Sequence, residues 1–245
     1  MTADFRIGTA GWSIPRASAA RFDVAGTHLQ RYSLRLRCAE INSSFYRTHT
    51  RTTYAKWRNS TPADFRFSIK MPRTITHELK LRDARDLLTA FLSQTEGLGD
   101  KRGPILVQLP PSYPFDETVV SSFLASLREM YDGAVVCEPR HSTWFAAGVD
   151  SVLDHYRVSR VAADPPPVPE AMVPAGWARL AYFRLHGTPR KYWSRYSDSD
   201  ITALAAAARR LPDAAEVWVI FDNTASGAAM ENACEMSEQL RIAAA

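Results

Sequence analysis

The chain has little cysteine. Cys38, Cys137 and Cys234 are scattered through 245 residues. An odd, widely spaced set builds neither a disulfide framework nor the paired ligands of a zinc site. Long apolar runs are missing as well, so no membrane span is expected. The opening MTADFRIGTAGW lacks the basic region and apolar core of a secretory signal. Reduced thiols with neither span nor signal place the expected protein in the cytoplasm. There is no internal repeat, no linker, no basic tail and no helix-turn-helix or RNA-binding motif.

What is present is ordinary for a packed protein: 46% apolar and 23% charged residues. The length fits one domain, 1–245, and matches the roughly 250 residues that eight β/α units need. Net charge is +4 but unevenly spread, since residues 1–82 hold 15 of the 30 Lys and Arg and only 5 of the 26 Asp and Glu. A basic half attracts phosphates or nucleic acid. Solvated helix faces explain most of it, with Arg31, Arg35 and Arg37 on or beside one helix, so nucleic acid is the less favoured partner.

Short β-like runs alternate with amphipathic stretches, the pattern of βα units around a parallel sheet. Eight strands are expected: Arg6–Gly11, Cys38–Asn42, Phe65–Lys70, Pro104–Leu109, Ala134–Pro139, Val158–Asp164, Leu180–Gly187 and Glu216–Asn223. Helices are expected over Thr27–Leu36, Arg51–Asn59, Asp83–Gly97, Asp116–Met130, Trp144–Tyr156, Asp198–Leu211 and Ala225–Arg241. Asp116 and Asp198 read as N-caps. The segment DPPPVPEAMVPAGW carries five prolines, which break a helix, so an extended loop is expected in place of the sixth one. These elements define a single (β/α)₈ barrel of TIM type, with an open doubly wound sheet as the alternative.

Parity within the strands points to a site. Alternate side chains face opposite sides of a sheet, and a barrel strand has one side towards helices and one towards the lumen. Polar residues keep to one parity: Glu40 and Asn42; Arg66, Ser68 and Lys70; Gln108; Glu138 and Arg140; Arg184 and His186. Asn223 shares its face with Phe221 and Val219. With Asp164, these residues give an expected ring of Asn42, Lys70, Gln108, Glu138, Arg140, Asp164, His186 and Asn223 at the C-terminal mouth, with Glu40 and Arg184 one layer deeper. Barrel enzymes build their sites there. The competing reading is a self-satisfied ion-pair network that closes the barrel.

Seven ordered motifs then stand out: GTAGWS at 8–13, EINSSFYR at 40–47, FSIKMPRTITHE at 67–78, LVQLPPSY at 106–113, EPRHSTWF at 138–145, FRLHG at 183–187 and FDNTASGAAMENA at 221–233. Together they resemble the YecE-like family, a domain-of-unknown-function family, over nearly the whole chain. The resemblance implies a TIM barrel and carries no reaction with it. Ile14 stands where the family has an aromatic, Asp222 where it has Asn, and the segment Pro15–Gly26 looks shortened.

For chemistry, Glu40 and Glu138 are the candidate acid–base carboxylates and His186 the proton shuttle. Lys70 is an anion-binding group or, desolvated among cations, a Schiff-base amine. Arg140 and Arg184 suit a carboxylate or phosphate, and Asn42, Gln108 and Asn223 orient it. The aromatics Trp12, Tyr46 and Trp144, with Arg47, are candidate substrate contacts, and Arg190–Arg195 a basic, aromatic lid. Glu40, Glu138, Asp164 and His186 offer ligands to a divalent metal, but nearby Lys and Arg oppose a cation; no cofactor is required by this reading. The expected ligand is a small, anionic or sugar-like molecule. A metal-dependent phosphodiesterase or isomerase, and a non-catalytic nucleic-acid or metabolite binder, are the alternatives.

Overall fold

The computed structural model describes residues 4–22, 24–211 and 216–240. Its strands are β1 (Asp4–Ala10), β2 (Cys38–Ile41), β3 (Arg66–Lys70), β4 (Arg102–Gln108), β5 (Val135–Glu138), β6 (Val158–Arg160), β7 (Ala162–Asp164), β8 (Ala175–Gly176), β9 (Leu180–Leu185) and β10 (Glu216–Phe221). They form one nearly closed sheet in the order β7-β9-β10-β1-β2-β3-β4-β5-β6-β8. All pairs are parallel except β6 with β8. The sixth expected strand is interrupted at Val161. Its first half, β6, pairs with β5, and its second half, β7, pairs with β9. The two ends of the sheet are therefore joined through one continuous piece of chain, and the barrel is of TIM type.

Helices α1 (His28–Ser33), α2 (Arg51–Asn59), α3 (Arg85–Thr95), α4 (Glu117–Met130), α5 (Val149–His155), α6 (Asp198–Arg209) and α7 (Ala228–Leu240) lie between the strands. Their starts follow local chemistry. Asp116 caps α4 by accepting from the Val119 N–H. Ser197, not Asp198, caps α6, in a reciprocal box with Asp200. The expected helix Trp144–Tyr156 divides into a 3₁₀ turn, Ser142–Phe145, and α5, because Gly148 between them is left-handed at φ 91°. Helix α7 starts three residues later than expected, after a turn that places Gly227 at φ 85°; its expected last residue, Arg241, lies outside the described residues. Between β7 and β9 the chain forms a 3₁₀ turn, Pro169–Met172, and the short β8. An apolar cavity of about 390 Å³ remains against the outer face there, lined by Ala162, Phe183, Leu185 and Leu204.

Two cores result from strand alternation. The outer one packs Ile41, Phe67, Val107, Val135, Phe183 and Val219 against the helices. The inner one fills the lumen with Cys38, Leu106, Val136, Val161, Leu180, Tyr182, Trp218 and Ile220. Fully burying such side chains contributes about 1.5–3 kcal/mol each. The uneven charge also resolves on folding: Arg6 pairs with Glu216, Arg21 with Glu238 and Arg82 with Asp116, so the basic first third meets the acidic remainder across the surface.

Gly103 shows how tightly the lumen is filled. A Cβ there would stand 2.7 Å from the Trp218 ring and 2.9 Å from the Phe67 carbonyl oxygen. Overpacking of this kind costs about 1–3 kcal/mol. Gly103→Ala is expected to lower the unfolding free energy by that amount, read by urea denaturation; an unchanged midpoint would contradict the packed lumen.

Candidate active site at the barrel mouth

The filled lumen ends in a layer of charge. Arg184, on β9, is 1% exposed. Its guanidinium grips Glu40 of β2 in bidentate fashion, Nε to Oε2 at 3.0 Å and Nη2 to Oε1 at 2.7 Å. Nη1 donates to Glu138 Oε2 of β5 at 3.1 Å, and Nη2 lies 3.0 Å from Asp222 Oδ2, just past β10. One cation thus joins three carboxylates from three strands. Below it, the Tyr182 hydroxyl lies 3.1 Å from Glu40 Oε2 and 2.9 Å from Ser68 Oγ.

His186 stands above this pair layer, fully buried. Its Nδ1 is 3.0 Å from Asp222 Oδ2, and its Nε2 is 2.9 Å from Glu138 Oε1 and 2.7 Å from Arg140 Nη2. An imidazolium donates from both nitrogens and satisfies both carboxylates. A neutral imidazole keeps the Asp222 bond and accepts from Arg140 instead. Each state finds partners, although a protonated Nε2 also meets the Arg140 donor at 2.7 Å. Arg140 also pairs directly with Glu138, and its buried Nε has no hydrogen-bond partner among the described residues.

Burial alone would raise the Glu138 carboxyl; Arg140, Arg184 and His186 overcome it and hold the group well below the usual carboxylate range. Asp222 behaves alike: burial pushes it up, and Arg184, His186 and Lys70 bring it below its ordinary value. Lys70 is lowered to about 8, first by burial and then by Arg184, against the pull of Glu40, Glu138 and Asp222. Its ammonium nitrogen sits 4.2 Å from the centre of the Phe45 ring. His77, edge-on to the same ring, is lowered to about 4 by burial, Lys70 and Arg73.

The loop after β9 overhangs the network. The Tyr192 ring meets His186 edge-on with centroids 5.4 Å apart. Its backbone N–H donates to the His186 carbonyl, and its carbonyl accepts from the Ala225 N–H at 3.0 Å. Ser226 Oγ donates to Trp193 O at 2.6 Å. Tyr192 is held at φ 65°, an uncommon conformation for an aromatic residue.

The sequence-based ring is therefore partly assembled. Glu40, Lys70, Glu138, Arg140, Arg184 and His186 converge, and Gln108 sits beside Glu138 in register. Asn42 keeps the lumen parity, with its buried Oδ1 unpartnered. Six of the candidate site residues lie elsewhere. Asp164 pairs in register with outward Leu185 and accepts from Tyr196 Oη at 2.5 Å and Thr188 Oγ1 at 2.8 Å. Asn223 shares the outer parity and donates to Ser194 O and Asn232 Oδ1. Trp12 packs on Trp57 and Phe67. Trp144 is buried in the outer core, donating to Tyr113 O. Tyr46 and Arg47 are exposed, with the Tyr46 ring edge-on to Phe45. Parity reasoning missed Asp222 and Tyr182, while Tyr192 falls within the segment Arg190–Arg195 expected as a lid. For Asp222 the misleading signal was EVWVIF, which is apolar on both faces, so nothing in it marks Trp218 and Ile220 as the lumen side.

Residues 6–245 match the family described as "Protein of unknown function DUF72". The chain belongs to this family. UPF0759 protein YecE of Escherichia coli (strain K12) is 33% identical over 168 residues, which cover 66% of this chain and 60% of YecE. UPF0759 protein YunF of Bacillus subtilis (strain 168) is 24% identical over 266 residues, 96% of this chain and 94% of YunF. A crystal structure of a DUF72 family protein from Thermotoga maritima MSB8 superposes with a TM-score of 0.81 at 25% identity, covering 97% of this chain and 99% of that one. Another, from Enterococcus faecalis V583, gives 0.82 at 22% identity, over 97% and 96% of the two chains. These likenesses establish the fold. Among the described residues, no helix is long and apolar enough to cross a membrane.

Two outcomes follow from the pair layer. Glu40→Gln leaves the buried Arg184 short of one charge, and breaking a buried pair costs about 3–5 kcal/mol; chemical denaturation should register a loss of that size. The depressed carboxyls of Glu138 and Asp222 contribute stability that is intact above the ordinary carboxylate range and is lost as pH falls through their lowered values. Unfolding midpoints measured from pH 7 to pH 2 should stay level on this account until the ordinary carboxylate range is passed, then drop. A decline already complete at pH 5 would contradict the pairing.

Proposed function

We propose that this DUF72 protein is an enzyme that transfers protons to and from a small anionic substrate at the barrel mouth. The observation that carries the reading is His186, which has hydrogen-bond partners for both of its protonation states. General acid–base catalysis needs a group that gives and takes a proton in place, and such positioning contributes typically 10²–10⁴-fold. Glu138 is the neighbouring base, kept ionised by its arginines. Glu40 and Asp222 are positioning residues: they hold Arg184 and His186 in register.

Anion binding falls to Arg140, whose Nε is unsatisfied, with Lys191 on the rim of the same network. Buried donors without partners are costly, and a bound carboxylate or phosphate oxygen would satisfy this one. Tyr192, lying over His186, would exclude water once substrate is in place. The carboxylates are already spent on guanidinium groups, and among the described residues no three His, Cys, Asp or Glu side chains are grouped to hold a metal ion, which favours this reading over the metal-dependent alternatives.

The test is a panel of small carboxylates, phosphate monoesters and neutral sugars, incubated with the protein in deuterated water and followed by proton NMR. At least one anionic compound should exchange a carbon-bound hydrogen or be consumed. His186→Gln should slow this by about 10²-fold or more, while Arg140→Met should abolish the anion-dependent rise in melting temperature. Turnover of neutral sugars alone, or full activity in His186→Gln, would overturn the proposal.

A further inference from the structure

The chain has only five lysines: Lys56, Lys70, Lys80, Lys101 and Lys191. Two are buried, Lys101 at 7% and Lys70 at 6% exposure. They are treated in opposite ways. The Lys101 ammonium donates to three oxygens, Arg58 O at 2.7 Å, Thr61 O at 2.6 Å and Thr61 Oγ1 at 3.1 Å. That is the full complement of an ammonium's donors. Lys70, among the described residues, makes no hydrogen bond and no ion pair through its nitrogen; its neighbour is the face of Phe45. An ammonium so placed has the attraction of the ring face in place of the oxygens that Lys101 receives, so its burial is less fully compensated.

The charge count of the mouth agrees. Glu40, Glu138 and Asp222 bring three negative charges, and Arg140 and Arg184 bring two permanent positive ones. One further positive charge makes the layer neutral, and His186, Lys70 and, on the rim, Lys191 are able to carry it. His186 lies within 3.0 Å of two of the carboxylates, and Lys70 is in ion-pair contact with none. A positive charge at His186 is thus paired with carboxylates, whereas one at Lys70, at the end of β3 and facing the same mouth, is not.

We infer that Lys70 is a nucleophilic amine that condenses with the carbonyl carbon of a small anionic carbonyl compound, such as a 2-oxo acid or a phosphorylated aldehyde, to form an imine. The inference rests on the acid–base reading above and names its substrate class. The Lys70 nitrogen lone pair forms the C–N bond, the carbonyl π pair moves to oxygen, and one amine proton follows it, giving a carbinolamine. The His186 imidazolium then protonates the hydroxyl, the C–O bond breaks, and water leaves. The nitrogen lone pair closes the C=N bond as an iminium. The positive charge has passed from His186 to the Lys70 nitrogen, so the layer stays neutral, and the neutral His186 accepts from Arg140. No oxidant or reductant is involved. The lowered basicity of Lys70 supports the same assignment.

The experiment is borohydride trapping on the intact protein, with pyruvate and glycolaldehyde phosphate as probes and acetone as the neutral control. Reduction of the imine adds the mass of the probe less one oxygen atom. Peptide mapping should place that adduct on Lys70, at least tenfold over Lys56, Lys80 and Lys191, and only with an anionic probe. Lys70→Met and Lys70→Arg should lose it; because the map of the unaltered protein already locates the adduct, a variant that folds poorly does not weaken the result. Equal labelling of the surface lysines would overturn the inference, as would no adduct with either anionic probe. If adducts fail while carboxylates or phosphates still raise the melting temperature and exchange hydrogen, the imine alone is lost. If those fail too, the acid–base reading falls with it.

Discussion

The Arg184 guanidinium sits at the centre of the lumen, and Glu40, Glu138 and Asp222 converge on it from β2, β5 and the end of β10. Removing such charges from water costs several kcal/mol per ion. Mutual attraction offsets that cost only when geometry is good, so the strands that carry these groups cannot slip in register. A shift of one residue would turn Arg184 towards the helices and bring Phe183 or Leu185 into the lumen. The network is therefore a constraint on the barrel as well as a feature of its mouth.

The apolar plug beneath the network makes this constraint effective. Trp218, Ile220, Tyr182 and Leu106 fill the lumen below the charges, and Tyr192 covers His186 from above. In such surroundings electrostatic interactions are stronger than in water. Burial opposes charge on both Glu138 and Lys70; the arginines beside Glu138 overcome it, whereas Lys70, among the described residues, is in ion-pair contact with no carboxylate and is lowered. Two buried basic groups of similar exposure, Lys101 and Lys70, thus sit in different surroundings: the first is supplied with oxygens and, among the described residues, the second is not.

Much of the barrel was legible in the chain. Alternation of polar and apolar residues in CAEIN, FRFSIK, VVCEP and YFRLHG identified the lumen side of four strands, and Glu40, Lys70, Glu138, Arg140, Arg184 and His186 follow from it. The signal failed where polarity does not separate the two faces. VSRVAAD carries Ser159 and Arg160 on opposite faces and EVWVIF is apolar on both, so Asp164 and Asn223 were placed in the mouth although they bond outside it, and Asp222 was passed over. Aromatic residues were equally ambiguous: Trp12 and Trp144 lie beside site motifs in sequence yet pack in the outer core, because large rings are buried wherever a wall is available.

The sequence by itself determined the succession of β and α units, the parity of strands with one polar face, and hence a barrel whose mouth carries acids and bases. These depend on short-range periodicity, which is written in neighbouring residues. Only the tertiary structure decided which charge meets which: that Arg184 takes three carboxylates, that His186 lies between two acids and an arginine, that the sixth strand divides at Val161 to close the sheet, and that Lys70, among the described residues, is in ion-pair contact with no carboxylate. Those contacts join residues as far apart as Glu40 and Asp222, and their distances are set by barrel closure and packing rather than by any local run of sequence.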